Sequence, residues 1–524
     1  MYKLYGLITL LLSISTGLIA QVFPKEGSNL NYRIIGFSFP DQQKAVKYQV
    51  RIAPAYYNNQ DSFLRKITLT FNSTTNRIIE TVPAFGTQYT WRVTYFSGNG
   101  ATVNSPLYHF STGTIPAVNT SETRLRITNK AKKYASAYIL TDDVNVMYDM
   151  KGNPVWYLPV IKQEDSIVLL GRDIKLSPRG TITFLANMNI YEVNYDGKIL
   201  WQGPEKGIIN KKNTADYYHH QLSRLNNGHY MALISPFSPA VQNNKWESSD
   251  RSSYSPLQRA SFGSIAEYDS TGKVVWSWQS FSYFRNFSPQ QLESYFYDED
   301  KQVRSSVDVH LNAFYFDEKE SVVYLSFKNI STIIKVKYPE GKVLAAYGNL
   351  SQPPGATLQN SLFCGQHSCN ISVDGDLYLF NNNTCNASSP PTVVKMKLPA
   401  TANDTLKKIW EYQCSFFEKS SDGTGFSHFP TTINAAQNKG KALFTTKFTA
   451  GGNVTELPDR SMFISISGNS GRALIVGPDH NIIWSAVSER YASGNKKWLA
   501  NDLYRISIIP SPKDLEQLIW NSEK

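Results

Sequence analysis

A histidine stands between two cysteines in Cys364-Gly-Gln-His367-Ser-Cys369, directly before an Asp374-Gly375 turn and the apolar run Leu377-Tyr-Leu-Phe380. A similar placement occurs twice upstream. His219-His220 precede the turn Asn226-Asn-Gly228, and Asp308-Val-His310-Leu-Asn312 opens an alternating run. Imidazole changes charge near neutrality, so it can serve as nucleophile, proton carrier or metal ligand. Three such residues can hold a metal. They can equally line an anion pocket in which one imidazole does covalent chemistry. His310 and Asn312 lie two apart and so share one strand face, whereas alternation sends His219 and His220 to opposite sides, leaving only one of them for a site. Lys328, at the end of the apolar run Val323-Tyr-Leu-Ser-Phe327, adds a cation to the same unit as His310. A lone histidine is more often a hydrogen-bonded core residue. The shared position in three successive units favours function.

The elements that must position these residues repeat. A turn ending in Gly or a small polar residue, then an apolar run ending in Trp, appears as Gly152-Asn-Pro-Val-Trp156, Gly197-Lys-Ile-Leu-Trp201 and Gly272-Lys-Val-Val-Trp276. It returns, weakened, as Gly341-Lys-Val-Leu-Ala345, and again in Lys407-Lys-Ile-Trp410 and Asp479-His-Asn-Ile-Ile-Trp484. Between these lie turn-plus-strand units such as Asn226-Asn-Gly-His-Tyr-Met-Ala-Leu233. Six occurrences at 45 to 75 residue spacing predict an all-β, six-bladed β-propeller over 122–524. A blade cannot bury its own apolar face, so the tryptophans are expected as blade-to-blade core. Ligands of propellers sit at the channel mouth, where inner strands begin, and the histidines stand just upstream of such strands. The polar stretches 203–217, 236–262 and 284–306 are expected as rim loops, with short helices around Ser288–Phe296.

The remaining segments bound compartment and partners. Met1-Tyr-Lys3, an almost uncharged run to Ile19 and Ala20 before Gln21 predict a signal peptide over 1–20, cleaved after Ala20. No later run approaches a membrane span, so no membrane span is expected in the mature chain. Residues 21–113 alternate as short strands, and Pro83-Ala-Phe-Gly-Thr-Gln-Tyr89-Thr-Trp91-Arg-Val93 resembles a fibronectin type III domain, a small β-sandwich; 114–121 read as its linker. The net charge of +11 is dispersed, which argues against nucleic acid and suits a small anionic substrate. The four cysteines, Cys364, Cys369, Cys385 and Cys414, lie close together in a chain that looks exported. Two local disulfides of unassigned pairing are expected. A metal site at Cys364, His367 and Cys369 is the weaker reading.

The signal peptide, the small sandwich, the six-unit repeat and three motifs resemble the bacterial PAPS-independent arylsulfate sulfotransferases. The motifs are His219-His220-Gln-Leu-Ser-Arg-Leu-Asn-Asn-Gly228, Asp308-Val-His310-Leu-Asn312 and Gln366-His367. The resemblance runs from about residue 115 to the end of the chain. It implies transfer of a sulfuryl group from an aryl sulfate donor to a phenol acceptor, with no cofactor, in the periplasm or outside the cell. It implies His367 as the nucleophile that carries the group. His220 and His310 correspond to the family's other two channel histidines, and Asn312 to the Asn beside the second; Asn312 and His219 are expected to bind substrate. Lys328 stands where the family has Arg, keeping the charge without the planar fork that suits sulfate. A homodimer is allowed but not specified.

Sulfuryl transfer, like phosphoryl transfer, rests on positioning and on neutralising equatorial oxygens. Lys328 and protonated His220 or His310 are expected to do this. His367 must be neutral to attack. Another histidine can protonate the leaving phenolate, whose conjugate acid has a pKa of about 10, judged from Tyr. Ping-pong kinetics follow. Two other classes remain open: a non-catalytic propeller binding a sulfated or glycan ligand, and a metal-dependent hydrolase using the histidines as ligands.

Overall fold

The computed structural model describes residues 22–116, 123–142, 144–161, 171–205, 217–234, 240–242, 245–247, 260–292, 296–297, 304–305, 307–351, 362–385, 390–400, 405–414, 451–467, 472–492, 497–500 and 503–521. The signal-peptide expectation at 1–20 and most of the linker lie outside these residues. The chain divides into two compact units, Met1–Thr114 and Ile115–Lys524. Both are built almost wholly of strands. No helix among the described residues is long and apolar enough to cross a membrane.

In the first unit the strands Ser28–Leu30, Tyr108–Thr112, Gln88–Ser97, Ala45–Pro54 and Leu69–Ser73 form one sheet in that order, with Thr102–Asn104 beside Gln88–Ser97. Ile34–Ser38 pairs separately with Arg77–Thr81. Tyr89 and Trp91 are buried as their alternation predicts. Thr90 and Arg92 on the other face are buried too, because the helix Gln60–Arg65 supplies Phe63, over whose ring the Arg92 guanidinium lies at 5.7 Å. The Tyr89 hydroxyl donates to the Ala84 carbonyl at 3.1 Å, fastening the start of its strand to the preceding turn.

The second unit repeats one device. Four-stranded antiparallel sheets begin with Arg172–Leu176, Tyr218–Arg224, Leu311–Asp317 and His367–Ile371. A larger sheet begins with Asn453–Glu456, and its long strand Ile482–Ala492 also pairs with Lys497–Ala500 and Thr123–Asn129. A further four-stranded sheet joins two distant parts of the chain: Ile506–Ile509 pairs with Tyr138–Thr141, which leads to Val146–Asp149 and Pro154–Tyr157. First strands lie side by side from Arg172–Leu176 through Tyr218–Arg224, Leu311–Asp317 and His367–Ile371 to Asn453–Glu456. The Ile506 amide donates to Asn453 Oδ1 and Ser465 Oγ, while Ile506–Ile509 also flanks Arg172–Leu176. The sheet order is therefore circular.

Second strands such as Tyr230–Ile234, Val322–Phe327, Leu377–Asn381 and Met462–Ile466 are buried along their full length. They are near-continuous apolar runs because sheets cover both faces. Outer strands such as Val274–Gln279 alternate. The recurring Gly turns them: Gly197 sits at φ +76, with Pro159 so close that a Cβ would lie 2.3 Å from it.

The recurring Trp does more than pack. Its indole N–H donates to a carbonyl in a turn of the next sheet: Trp156 to Tyr195, Trp276 to Pro339 and Trp410 to Pro478. Trp484 completes the circle by donating to Met150. Only Trp156 and Trp484 are fully buried among these, so the tryptophan is as much a hydrogen-bonded clamp as a core residue. The 236–262 and 284–306 stretches hold a short hairpin, Ala240–Gln242 with Lys245–Glu247, and a 3-10 turn at Pro289–Leu292. The helix Pro512–Asn521 was not foreseen.

Candidate active site

The first strands of successive sheets begin irregularly, and this aims the site residues. Register breaks fall between Arg172 and Lys175, Tyr218 and Leu222, Leu311 and Ala313, and His367 and Cys369. Asp173, His220, His310 and Ser368, at or beside these bulges, have left-handed backbone with φ between 52° and 60°. For non-glycine residues such backbone persists only where the surroundings hold it, and it clusters at functional sites.

These bulges correct the alternation argument. His219 and His220 do not diverge: their Nδ1 atoms are 2.7 Å apart and the rings meet edge to face at 4.8 Å. His220 meets His310 in the same manner at 5.0 Å. Tyr504 touches both halves of the cluster, its ring 6.1 Å from His220 and 6.3 Å from His367. His310 does not share a regular strand face with Asn312. It precedes its strand, receives the Lys328 amide on its carbonyl and has Nδ1 3.4 Å from Asp308. Asn312 is fully buried and donates to the Gln366 carbonyl at 2.8 Å, linking two neighbouring strands.

His367 is held at both ring nitrogens. Asn382 Nδ2 donates to the Gly451 carbonyl, so Asn382 Oδ1 is the atom facing His367 Nδ1, at 2.7 Å. Nδ1 therefore carries the proton. At the other side the Gly451 N–H donates to Nε2 at 3.0 Å, which requires a lone pair there. Two independent partners thus assign the same tautomer. His367 is 1% exposed, and its pKa lies well below the usual imidazole value. Burial is the main cause, then the Lys328 charge, with Arg505 and His310 adding to it and the Asn382 bond opposing.

Burial drives His220 well below the usual value, helped by His219, His310, His367 and Arg505. His219 falls to about 4, again mainly by burial. Both shifts favour the neutral ring in the free protein. The cations are Lys328 and Arg505. Burial lowers the Lys328 pKa, with Asp308 opposing. Burial also acts to lower that of Arg505, but Tyr504, Asp173 and Asp142 outweigh it and raise it overall.

Asn382, Gly451, Tyr504, Arg505 and Asp173 escaped sequence reasoning. The rule that found the histidines, inspection of residues at the start of inner strands, points equally to Asp173 and to Arg505 before Ile506-Ser-Ile-Ile509. The expectation of two disulfides is also corrected. Cys364 and Cys385 are bonded, while Cys369 and Cys414 are buried free thiols. Cys369 packs in one apolar cluster with Leu377, Leu379 and Val394, and Cys414 in another with Phe380 and Val393. Cys364, being oxidised, is not a thiolate ligand for the metal reading. The disulfide spans the segment from just before His367 to just after Asn382.

Among known proteins, the chain is similar in structure to a protein of unknown function from Bacteroides caccae (11% identity, TM-score 0.38, 72% of this chain and 98% of that one). It is similar also to a putative 6-phosphogluconolactonase from Bacteroides fragilis (10%, 0.27, 90% and 99%) and to a periplasmic gluconolactonase from Pseudomonas aeruginosa (10%, 0.28, 89% and 100%). These likenesses are too distant to carry a functional argument. No curated protein matches the chain significantly. The sequence pattern of the arylsulfotransferase (ASST) family, however, matches residues 114–449, more than half of the chain and including all three histidine motifs and Lys328. The chain belongs to the arylsulfotransferase (ASST) family.

Proposed function

We propose that this protein is a PAPS-independent aryl sulfotransferase that moves a sulfuryl group between phenols by a ping-pong mechanism through a sulfohistidine at His367. We read its circular set of sheets as a six-bladed propeller, its first unit as a fibronectin III-like sandwich, and residues 1–20 as a signal peptide that exports it to the periplasm or beyond. The observation that carries the catalytic reading is the setting of His367: fixed as the Nδ1–H tautomer by Asn382 and Gly451, with the charges of Lys328 and Arg505 disfavouring its protonated form.

In the first half-reaction Nε2 attacks sulfur. The N–S bond forms as the S–O bond to the aryl group breaks, and the Gly451 hydrogen bond is exchanged for the new bond. The Nδ1–H bond to Asn382 then stabilises positive charge on the ring. Lys328 neutralises the sulfuryl oxygens, which a buried charge does well because no solvent must reorganise. The departing phenolate takes a proton from the His219–His220–His310 cluster, which enters this half-reaction carrying one extra proton taken up together with the anionic donor. In the second half-reaction an incoming phenol returns a proton to that cluster and attacks sulfur, and the N–S bond breaks. Because neutral His219 and His220 face each other through Nδ1, one donates and the other accepts, a pairing that lets a proton shift within the cluster.

The test is initial-rate kinetics with a chromogenic aryl sulfate and varied phenol. Parallel double-reciprocal lines support the scheme. Intersecting lines would replace the sulfohistidine with direct transfer, and no turnover over a range of aryl sulfates would favour a binding module. Turnover that depends on a stoichiometric transition metal would favour the hydrolase.

A further inference from the structure

Arg505 is 5% exposed and lies directly before the strand that completes the circle of sheets. Its Nη1 donates to Asp173 Oδ1 at 2.7 Å and to the His220 carbonyl at 3.0 Å, and its Nη2 donates to the Asn312 carbonyl at 3.2 Å. Its own amide is held by Asp142 at 2.8 Å. One guanidinium thus binds two left-handed bulge residues, Asp173 and His220, and the strand that reaches Gln366 through Asn312. A second short path leads to His367: the Tyr504 carbonyl accepts from Gly452, whose neighbour Gly451 donates to His367 Nε2. A planar fork can make these bonds at once, which an ammonium cannot.

We propose that Arg505 is the positioning residue of the site: its fork fixes the His220 and Asn312 carbonyls, and through them the histidine cluster and the strand that carries His367. This rests on the sulfohistidine reading only for its effect on turnover. The groups around His367 are Lys328, Arg505, His310, His220 and Tyr504. Around Arg505 lie Asp173, Asp142, Tyr504 and Cys369, with Lys175 beyond Asp173 and Arg172 beside Tyr504. Asp173 is paired with both Arg505 and Lys175, at 2.7 and 2.6 Å, so removing Arg505 alone would leave a buried carboxylate that also favours a protonated imidazole. The informative variants keep the charge and lose the fork, or remove both charges.

The experiment is NMR of the full chain with ¹⁵N-labelled histidine, read beside initial rates. Only eight histidines are present, and loss of a signal in His220→Gln assigns that ring. In Arg505→Lys, which keeps the charge and loses the fork, the His220 ring signals should move away from their parent positions, and kcat with a chromogenic aryl sulfate should fall by about 10-fold or more. His220 signals at their parent positions in Arg505→Lys overturn the proposal. Arg505→Gln/Asp173→Asn is read in the same way and decides the matter if Arg505→Lys does not fold. A displaced His220 signal in a protein whose parent turns over no aryl sulfate keeps the role of Arg505 and removes the sulfotransferase reading. Undisplaced signals with an active parent do the reverse.

Discussion

His367 and the His219–His220–His310 cluster meet across Tyr504 but are held in opposite ways. His367 is sealed, and each ring nitrogen is bonded to a group that the protein itself fixes, Asn382 on one side and Gly451 on the other. The other three keep part of their surface accessible, and His219 and His220 are bonded to each other. A ring fixed in one tautomer presents a defined lone pair, as a nucleophile requires. Rings that hold one another can exchange a proton without moving far. The difference separates covalent work from proton handling among residues of one chemical type.

Replacing the fixed ring breaks the contrast most completely. His367→Asn should lower turnover below detection in a chromogenic aryl sulfate assay; turnover equal to the parent would remove the nucleophile from this account. Asn382→Leu leaves the ring but frees its tautomer. A loss of about 10³- to 10⁴-fold in kcat is expected, by analogy with loss of a tautomer-setting partner in other enzymes, with KM for the donor little changed. His220→Gln should cost about 10²- to 10³-fold, and less with donors whose leaving phenol is more acidic, since such a phenolate needs less protonation. A loss independent of leaving-group acidity would place His220 outside proton transfer.

Lys328→Met should lose about 10²-fold, whereas Lys328→Arg should stay within a few-fold of the parent. Smallest is the effect of pH on stability. His219, His220 and His367 have folded pKa values below their unfolded value of about 6.5. The unfolded chain therefore binds more protons in acid, and stability is full above that value and falls as pH drops below it. The melting temperature should decline from about pH 6.5 downward, and His367→Asn should flatten the decline.

What the sequence discloses follows from what is local. The Gly turns and their tryptophans are short patterns, so the β-rich repeat could be read directly, as could the histidine motifs at the starts of inner strands. The bulges could not. His220 and His310 adopt left-handed backbone without being glycine, which no local signal announces, and period-two alternation misplaced the His219–His220 pair for that reason. Arg505 and Tyr504 come from the closing strand, whose partner Tyr138–Thr141 lies at the far end of the unit. Their place beside His367 exists only once the circle closes. The pairing of Cys364 with Cys385 is local, joining the open end of the hairpin His367–Ile371 with Leu377–Asn381, but it follows from the strand register rather than from cysteine spacing.

The central claim is that His367 Nε2 carries the sulfuryl group. It is tested most directly by mixing the purified protein with a chromogenic aryl sulfate in the absence of any phenol acceptor, then measuring intact mass and mapping peptides at neutral to alkaline pH. One sulfuryl adduct per chain, on the peptide containing His367 and lost on adding phenol, is the predicted result. Stoichiometric phenol release with no adduct on that peptide, or an adduct that persists in His367→Asn, would contradict it.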